Sequence, residues 1–334
     1  MIRPPARILT LVAACALGAV GVAGCSSESV TPASTTVVYA ALGSGAANPG
    51  STVAVVDART GAAGRPITVG TLPAALALEP GTAGRLLVAV KAQNELVEVA
   101  TSTGTVARRV TVGLEPDAVA VTPDGATALV ADFGDGTVTA VRLSDFTVVG
   151  TVAVGRQPVA VAVVGRGSLA LVADFGDGTL TPIALPALTA GPPVPVGPSP
   201  SALYVTSDGT TALVTGFQTS TVTPVALPAL VVAPAVPIGA NPTGIDGRPR
   251  APVAWVSGGD TVTPVDVTTG RPGTPIPVGA PAQCVAAGPG GIVWVCSGNG
   301  ALLAVDTTAG RVVRTVAVAG LPAAAVVATR AARS

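Results

Sequence analysis

Two identical pentapeptides, Asp132-Phe133-Gly134-Asp135-Gly136 and Asp174-Phe175-Gly176-Asp177-Gly178, place four carboxylates in glycine-rich turns 42 residues apart. Carboxylates in such turns have two ordinary uses. They bind a cation or a polar ligand, or they stabilise the turn by accepting backbone amides. A calcium loop is excluded, because D-x-D-x-D-G spacing and a distal Glu are missing. The two Asp-Phe-Gly triplets also lack the glycine-rich loop, V-A-I-K and H-R-D that accompany them in kinases. The chain has no histidine, which excludes Ser-His-Asp and Cys-His catalysis and His-ligated zinc or haem. No G-x-S-x-G occurs. Eighteen basic residues balance 18 acidic ones, so the basic footprint of a nucleic-acid-binding protein is absent and no such partner is expected.

The elements that carry these turns form a repeat. Val/Ile-Gly pairs, with one Ala inserted in the last, end at Gly70, Gly113, Gly155, Gly197, Gly239, Gly279 and Gly320. A proline follows each within two or three residues, then a short apolar strand, a turn, a second strand such as Arg85–Val90, another turn and a third strand such as Thr137–Leu143. Four strands in about 40–45 residues, without helical periodicity, mark a β-propeller blade. Residues 35–70 supply only three strands, and Pro322–Val327 supplies one. Three plus one completes a seventh blade from both chain ends. The expected fold is therefore all-β: a seven-bladed propeller of four-stranded blades over residues 36–329, followed by a tail at 330–334. Stacked blades call for inner strands buried on both sides, and prolines in the outer strands blunt the exposed edges.

Within the second and third strands, Leu129–Val141 and Leu171–Ile183 resemble the YVTN-type propeller repeat, with weaker copies at Leu213–Val225 and Trp255–Val267. The resemblance implies the fold, and it is similar to surface-layer and periplasmic propellers. At the N-terminus, Arg3 and Arg7 precede the apolar run Ile8–Gly21 and the sequence Val22-Ala23-Gly24-Cys25. That order reads as a secretory signal over residues 1–24. Its end resembles the lipobox of bacterial lipoproteins, which implies a lipidated Cys25 followed by a tether over residues 25–35 and a protein held at the extracytoplasmic side of the cell membrane. Without Arg3 and Arg7 the charge balance is 16 basic against 18 acidic, or −2.

Export permits disulfides. Cys284 and Cys296 flank the turn Gly288-Pro289-Gly290-Gly291, so a bond between them is expected, with two small buried thiols as the alternative. C-x11-C alone is no metal site, and neither metal nor cofactor is expected. Strand direction places the DFGDG turns and the loops before each first strand on one ring face. Glu115, Asp132, Asp135, Arg156, Gln157, Asp174 and Asp177 then form a candidate binding face. The expectation is a monomeric, lipid-anchored binding or scaffold module for an envelope protein or glycan. The alternative is a lactonase-like propeller hydrolase or lyase with its site at the central channel, where Asp117, Asp246 and Gln283 are scattered singletons.

Overall fold

A computed structural model describes residues 35–43, 50–80, 84–239 and 241–330. Cys25 and the 1–24 segment lie outside these residues. Seven antiparallel sheets follow one another around a ring, six of them with strands in sequence order from the channel outward. Blades 1 to 6 occupy residues 73–111, 116–153, 158–195, 200–237, 242–277 and 282–317. Blade 7 joins the chain ends, in the order Leu321–Arg330, Thr35–Gly43, Thr52–Asp57, Ile67–Thr68. Thr35 pairs with Arg330 and Gly43 with Leu321. Ten residues from the C-terminus thus pair with nine from the N-terminus, and the ring is closed by hydrogen bonds between strands distant in sequence.

Outer-strand length follows proline content. Thr105–Thr111, Thr147–Ala153 and Arg311–Ala317 contain no proline and run for 7 residues each. Where proline is present, the outer strand shrinks to 2 residues, as at Ile276–Pro277, or splits in two, as at Thr189–Ala190 and Val194–Pro195. Each proline removes a ladder donor, so pairing stops there and the edge offers less to another chain.

Burial corrects one expectation. The continuously buried strands are the second and third of each blade, as in Thr127–Asp132 and Thr137–Arg142. The first strand borders the channel and is only half-buried in blades 2, 3 and 4, whereas that of blade 6 is mostly buried. Apolar layers form between blades: Leu129 and Val138 of blade 2 pack with Ala170, Val172 and Ile183 of blade 3. Small and β-branched side chains suit a flat sheet-on-sheet contact, which explains a core with only 2% aromatic residues in the chain.

Candidate functional site

Each first strand starts at one face of the ring, where the blade-to-blade connections meet the second-to-third turns. This is the loop face. The structure brings all seven residues of the expected binding face to it and then divides them by burial.

Asp132 and Asp174 end the second strands of blades 2 and 3 and are fully buried. Asp132 accepts hydrogen bonds from the Gly113 amide at 3.1 Å, Thr137 Oγ1 at 3.2 Å and Thr139 Oγ1 at 2.7 Å. Asp174 accepts from Thr179 Oγ1 at 3.0 Å and Thr181 Oγ1 at 2.6 Å. Burial outweighs these donors and pushes Asp132 up to about 6, and Asp174 upward as well. The approach is so close that a Cβ on Gly113 would lie 2.5 Å from the Asp132 carboxyl carbon, and one on Gly155 2.6 Å from that of Asp174. The glycine of the repeat marker is therefore required here by contact with a carboxylate.

Asp135 and Asp177 are exposed yet engaged. Asp135 Oδ2 accepts the Leu114 amide at 2.7 Å, and Asp177 accepts the Arg156 amide at 2.7 Å and Arg156 Nε at 2.6 Å. The Arg156 amide, then its side chain, holds Asp177 below the usual carboxylate range. In return, Phe133 and Gly134 donate amides to the Glu115 and Leu114 carbonyls, and Phe175 and Gly176 donate to Gln157 and Arg156. Each DFGDG turn is thus a clasp that grips the loop leading into its own blade.

Glu115 and Gln157 belong to a second set of positions. The residue before the first-strand proline has a left-handed backbone in five consecutive blades: Leu72 (φ 59°), Glu115 (51°), Gln157 (56°), Ser199 (52°) and Asn241 (49°). That conformation turns its carbonyl toward the neighbouring turn, where Lys91, Phe133, Phe175 and Phe217 donate to Leu72, Glu115, Gln157 and Ser199. Glu115, Gln157 and Asn241 are exposed, as is Leu114, at 51%. Leu72, Lys91, Asn94, Leu114 and Glu115 line a depression of about 600 Å3 between blades 1 and 2. Sequence reading missed Leu72, Leu114, Ser199 and Asn241. Their signal was present, a fixed offset from the repeat marker, but a residue before proline is ordinarily extended.

At the channel, Asp117 pairs with Lys91 at 2.6 Å. Asp246 accepts the Gly247 and Ala287 amides, both at 2.8 Å, and burial pushes it up to about 6. Gln283 is exposed on the first strand of blade 6. These three remain apart, and the described residues contain no group of three or more His, Cys, Asp or Glu able to hold a metal. Ser201 Oγ and Thr243 Oγ1 instead donate across the channel wall to the Pro242 and Ala282 carbonyls, at 2.6 and 2.8 Å, and tie adjacent blades together. Cys284 and Cys296 are direct cross-strand partners in blade 6, with their sulfurs bonded at 1.98 Å.

No protein-family model matches the chain, and no curated protein matches it. Solved structures do. A functionally unknown protein from Desulfotomaculum acetoxidans is similar at 16% identity and a TM-score of 0.75, covering 90% of this chain and 100% of that one. A chain of hydrazine synthase from Kuenenia stuttgartiensis is similar at 18% identity and a TM-score of 0.68, covering 81% of this chain and 90% of that one. Likeness at these identities establishes the fold alone: the chain is a seven-bladed β-propeller.

Proposed function

We propose that this protein is a lipid-anchored extracytoplasmic binding module whose recognition surface is the loop face. One observation carries the reading: five consecutive blades hold a non-glycine residue in a left-handed conformation at the same rim position. Glycine adopts that conformation freely, whereas other side chains in it cost on the order of 1 kcal/mol or more. The backbone geometry serves the fold, but the exposed side chains of Glu115, Gln157 and Asn241 do not need to be there for it, whereas Ser199 is buried and Leu72 half-buried. Side chains kept at a cost, on loops mounted at rigid strand ends, are where recognition is found.

Chain direction supports the same reading. Thr35 pairs with Arg330, at the end of the blade 7 first strand remote from the loop face. A tether from Cys25 to Thr35 spans ten residues, about 35 Å when fully extended, and joins the body at the opposite face. An acylated Cys25 would keep that face toward the bilayer and the rim outward. The rim, with Glu115, Arg156, Gln157 and the clasp aspartates Asp132, Asp135, Asp174 and Asp177 behind it, would meet an envelope protein or glycan.

Photo-crosslinking in cells tests this. A photoreactive residue at Gln157 or Glu115 should trap a common partner, whereas one at Arg311 on the opposite face should not. Cys25→Ser should move the protein from the membrane to the soluble fraction. Equal capture from both faces would refute the rim, and unchanged membrane retention would refute the anchor.

A further inference from the structure

Two inter-blade clefts have the same backbone but different charge. In blades 7 and 5 a proline, Pro66 or Pro275, precedes an outer strand of only 2 residues, Ile67–Thr68 or Ile276–Pro277. The chain ahead of it also matches. Val56 bridges Ala63, and Val265 bridges Pro272. The Gly64 amide donates to Val55 at 2.7 Å, and that of Gly273 to Pro264 at 2.8 Å. Each short strand leaves a notch beside the next blade, whose outer strand, Thr105–Thr111 or Arg311–Ala317, runs for 7 residues with a bulge at the same place. Position by position, Arg65, Glu95, Ala100 and Arg109 of the blade 7–1 cleft correspond to Thr274, Ala301, Asp306 and Thr315 of the blade 5–6 cleft.

The cleft between blades 7 and 1 has a volume of about 550 Å3, and its only charged lining residues are Arg65 and Arg109. Arg65 is exposed and has no ion pair among the described residues. Arg109 gives one Nη to Glu95 at 2.9 Å, and Glu95 lies outside the lining. The hydroxyls of Thr68, Thr103 and Thr105 share the wall with Val55, Ile67 and Val106. The backbone does not call for the arginines, because the blade 5–6 cleft is built with threonine in both places. Two guanidinium groups and several hydroxyls around one space, with no carboxylate in the lining, are complementary to an anion with more than two acceptor oxygens. A phosphate group has them and a carboxylate does not. We propose that the blade 7–1 cleft binds the phosphate group of a phosphoester, with Arg65 and Arg109 as donors. The volume leaves room for the esterified group. The site is separate from the rim and depends neither on the rim's role nor on the anchor.

The test uses the full chain in a nonionic detergent, with glycerol 3-phosphate as probe and ligand-observed NMR as readout. The probe should bind, and acetate should bind at least about tenfold more weakly, because it offers fewer acceptors. Arg65→Thr with Arg109→Thr copies the blade 5–6 cleft, so it should fold and lose at least about tenfold in affinity for the probe. If that double variant does not fold, Arg65→Gln, an exposed change, decides by the same loss. Sedimentation of the Cys25→Ser chain with phosphatidylglycerol vesicles separates two sources of the phosphate. Retention that the double variant lacks supports a lipid headgroup, and binding of glycerol 3-phosphate without retention supports a soluble phosphoester. The proposal is overturned if acetate binds as well as the phosphoester, if the arginine substitutions have no effect, or if nothing binds up to about 10 mM.

Discussion

The same dipeptide, a β-branched residue followed by glycine, closes the outer strand of blades 1 and 2 and of blades 3 to 5 for different physical reasons. At Gly113 and Gly155, leading into blades 2 and 3, a carboxylate packs where a Cβ would stand. At Gly197, Gly239 and Gly279 no described residue lies within 4 Å of that position, and glycine is favoured by its backbone, with φ of 104°, 146° and 72°. The difference follows the second strand. Blades 2 and 3 end it with Asp132 and Asp174, whereas blades 4, 5 and 6 place Gly216, Gly258 and Ser297 there. A repeated letter therefore need not mean a repeated interaction: the fold tolerates either solution as long as the loop leading into the next blade is held.

The contrast breaks first at the glycines. Gly155→Ala should destabilise the protein by roughly 3 kcal/mol or more, because it overpacks a buried carboxylate and displaces its hydrogen bonds. Gly197→Ala meets open space and should cost about 1 kcal/mol, the ordinary penalty of a positive φ. Denaturation midpoints compare the two. Adding Asp174→Ala should recover part of the Gly155→Ala loss but not affect Gly197→Ala, since only the former pair is in contact. Equal costs for the two glycines would remove the distinction.

The next effect is on pH dependence. Asp132 and Asp246 are pushed up to about 6 in the folded protein against an ordinary carboxylate value of 3.8, and Asp174 is also raised. Between about pH 4 and 6 the native state thus binds more protons than the unfolded state, so stability falls as pH rises through that window. The turn aspartates Asp57, Asp124, Asp208, Asp266 and Asp306 are lowered and act oppositely, losing their contribution as pH falls below about 4. Maximum stability should lie near pH 4–5. Asp132→Asn should flatten part of the slope and raise stability at pH 7 by on the order of 1–2 kcal/mol. A profile unchanged by this substitution would mean that burial does not raise Asp132 above the ordinary carboxylate range.

Smaller effects belong to the exposed half of the clasp. Asp177→Ala should lower Tm by clearly less than Asp174→Ala, because water can replace an exposed carboxylate at the Arg156 amide and the ion pair is screened. Smallest of all, Gln157→Gly should leave stability unchanged or raise it by about 0.5 kcal/mol through relief of the left-handed backbone. A marked loss there would show that the rim side chain serves the fold.

Much of this architecture was legible in the sequence because it rests on spacing. The repeat markers at intervals of 40 to 43 residues placed six complete blades, and the unmatched strands at the two ends located the closing blade. Burial was less legible. Asp-Phe-Gly-Asp-Gly reads as a surface turn, and only the loop folded over it reveals that its first carboxylate is interior and its second is not. The left-handed rim residues were hidden by the expectation of extended backbone before proline. The blade 7–1 cleft was least visible, because its signal is two arginines on different blades, Arg65 and Arg109, which stand out only beside Thr274 and Thr315 of the matching cleft.

The central claim is a division of labour on the loop face: clasp carboxylates hold the loops, and the left-handed rim side chains recognise the partner. The most direct measurement determines Tm and partner crosslinking together in the full chain carrying Glu115→Ala and Gln157→Ala, with the photoreactive probe at Asn241. The account predicts a Tm close to that of the unaltered protein and loss of the crosslinked partner. An unchanged Tm with the partner still captured in full would contradict it.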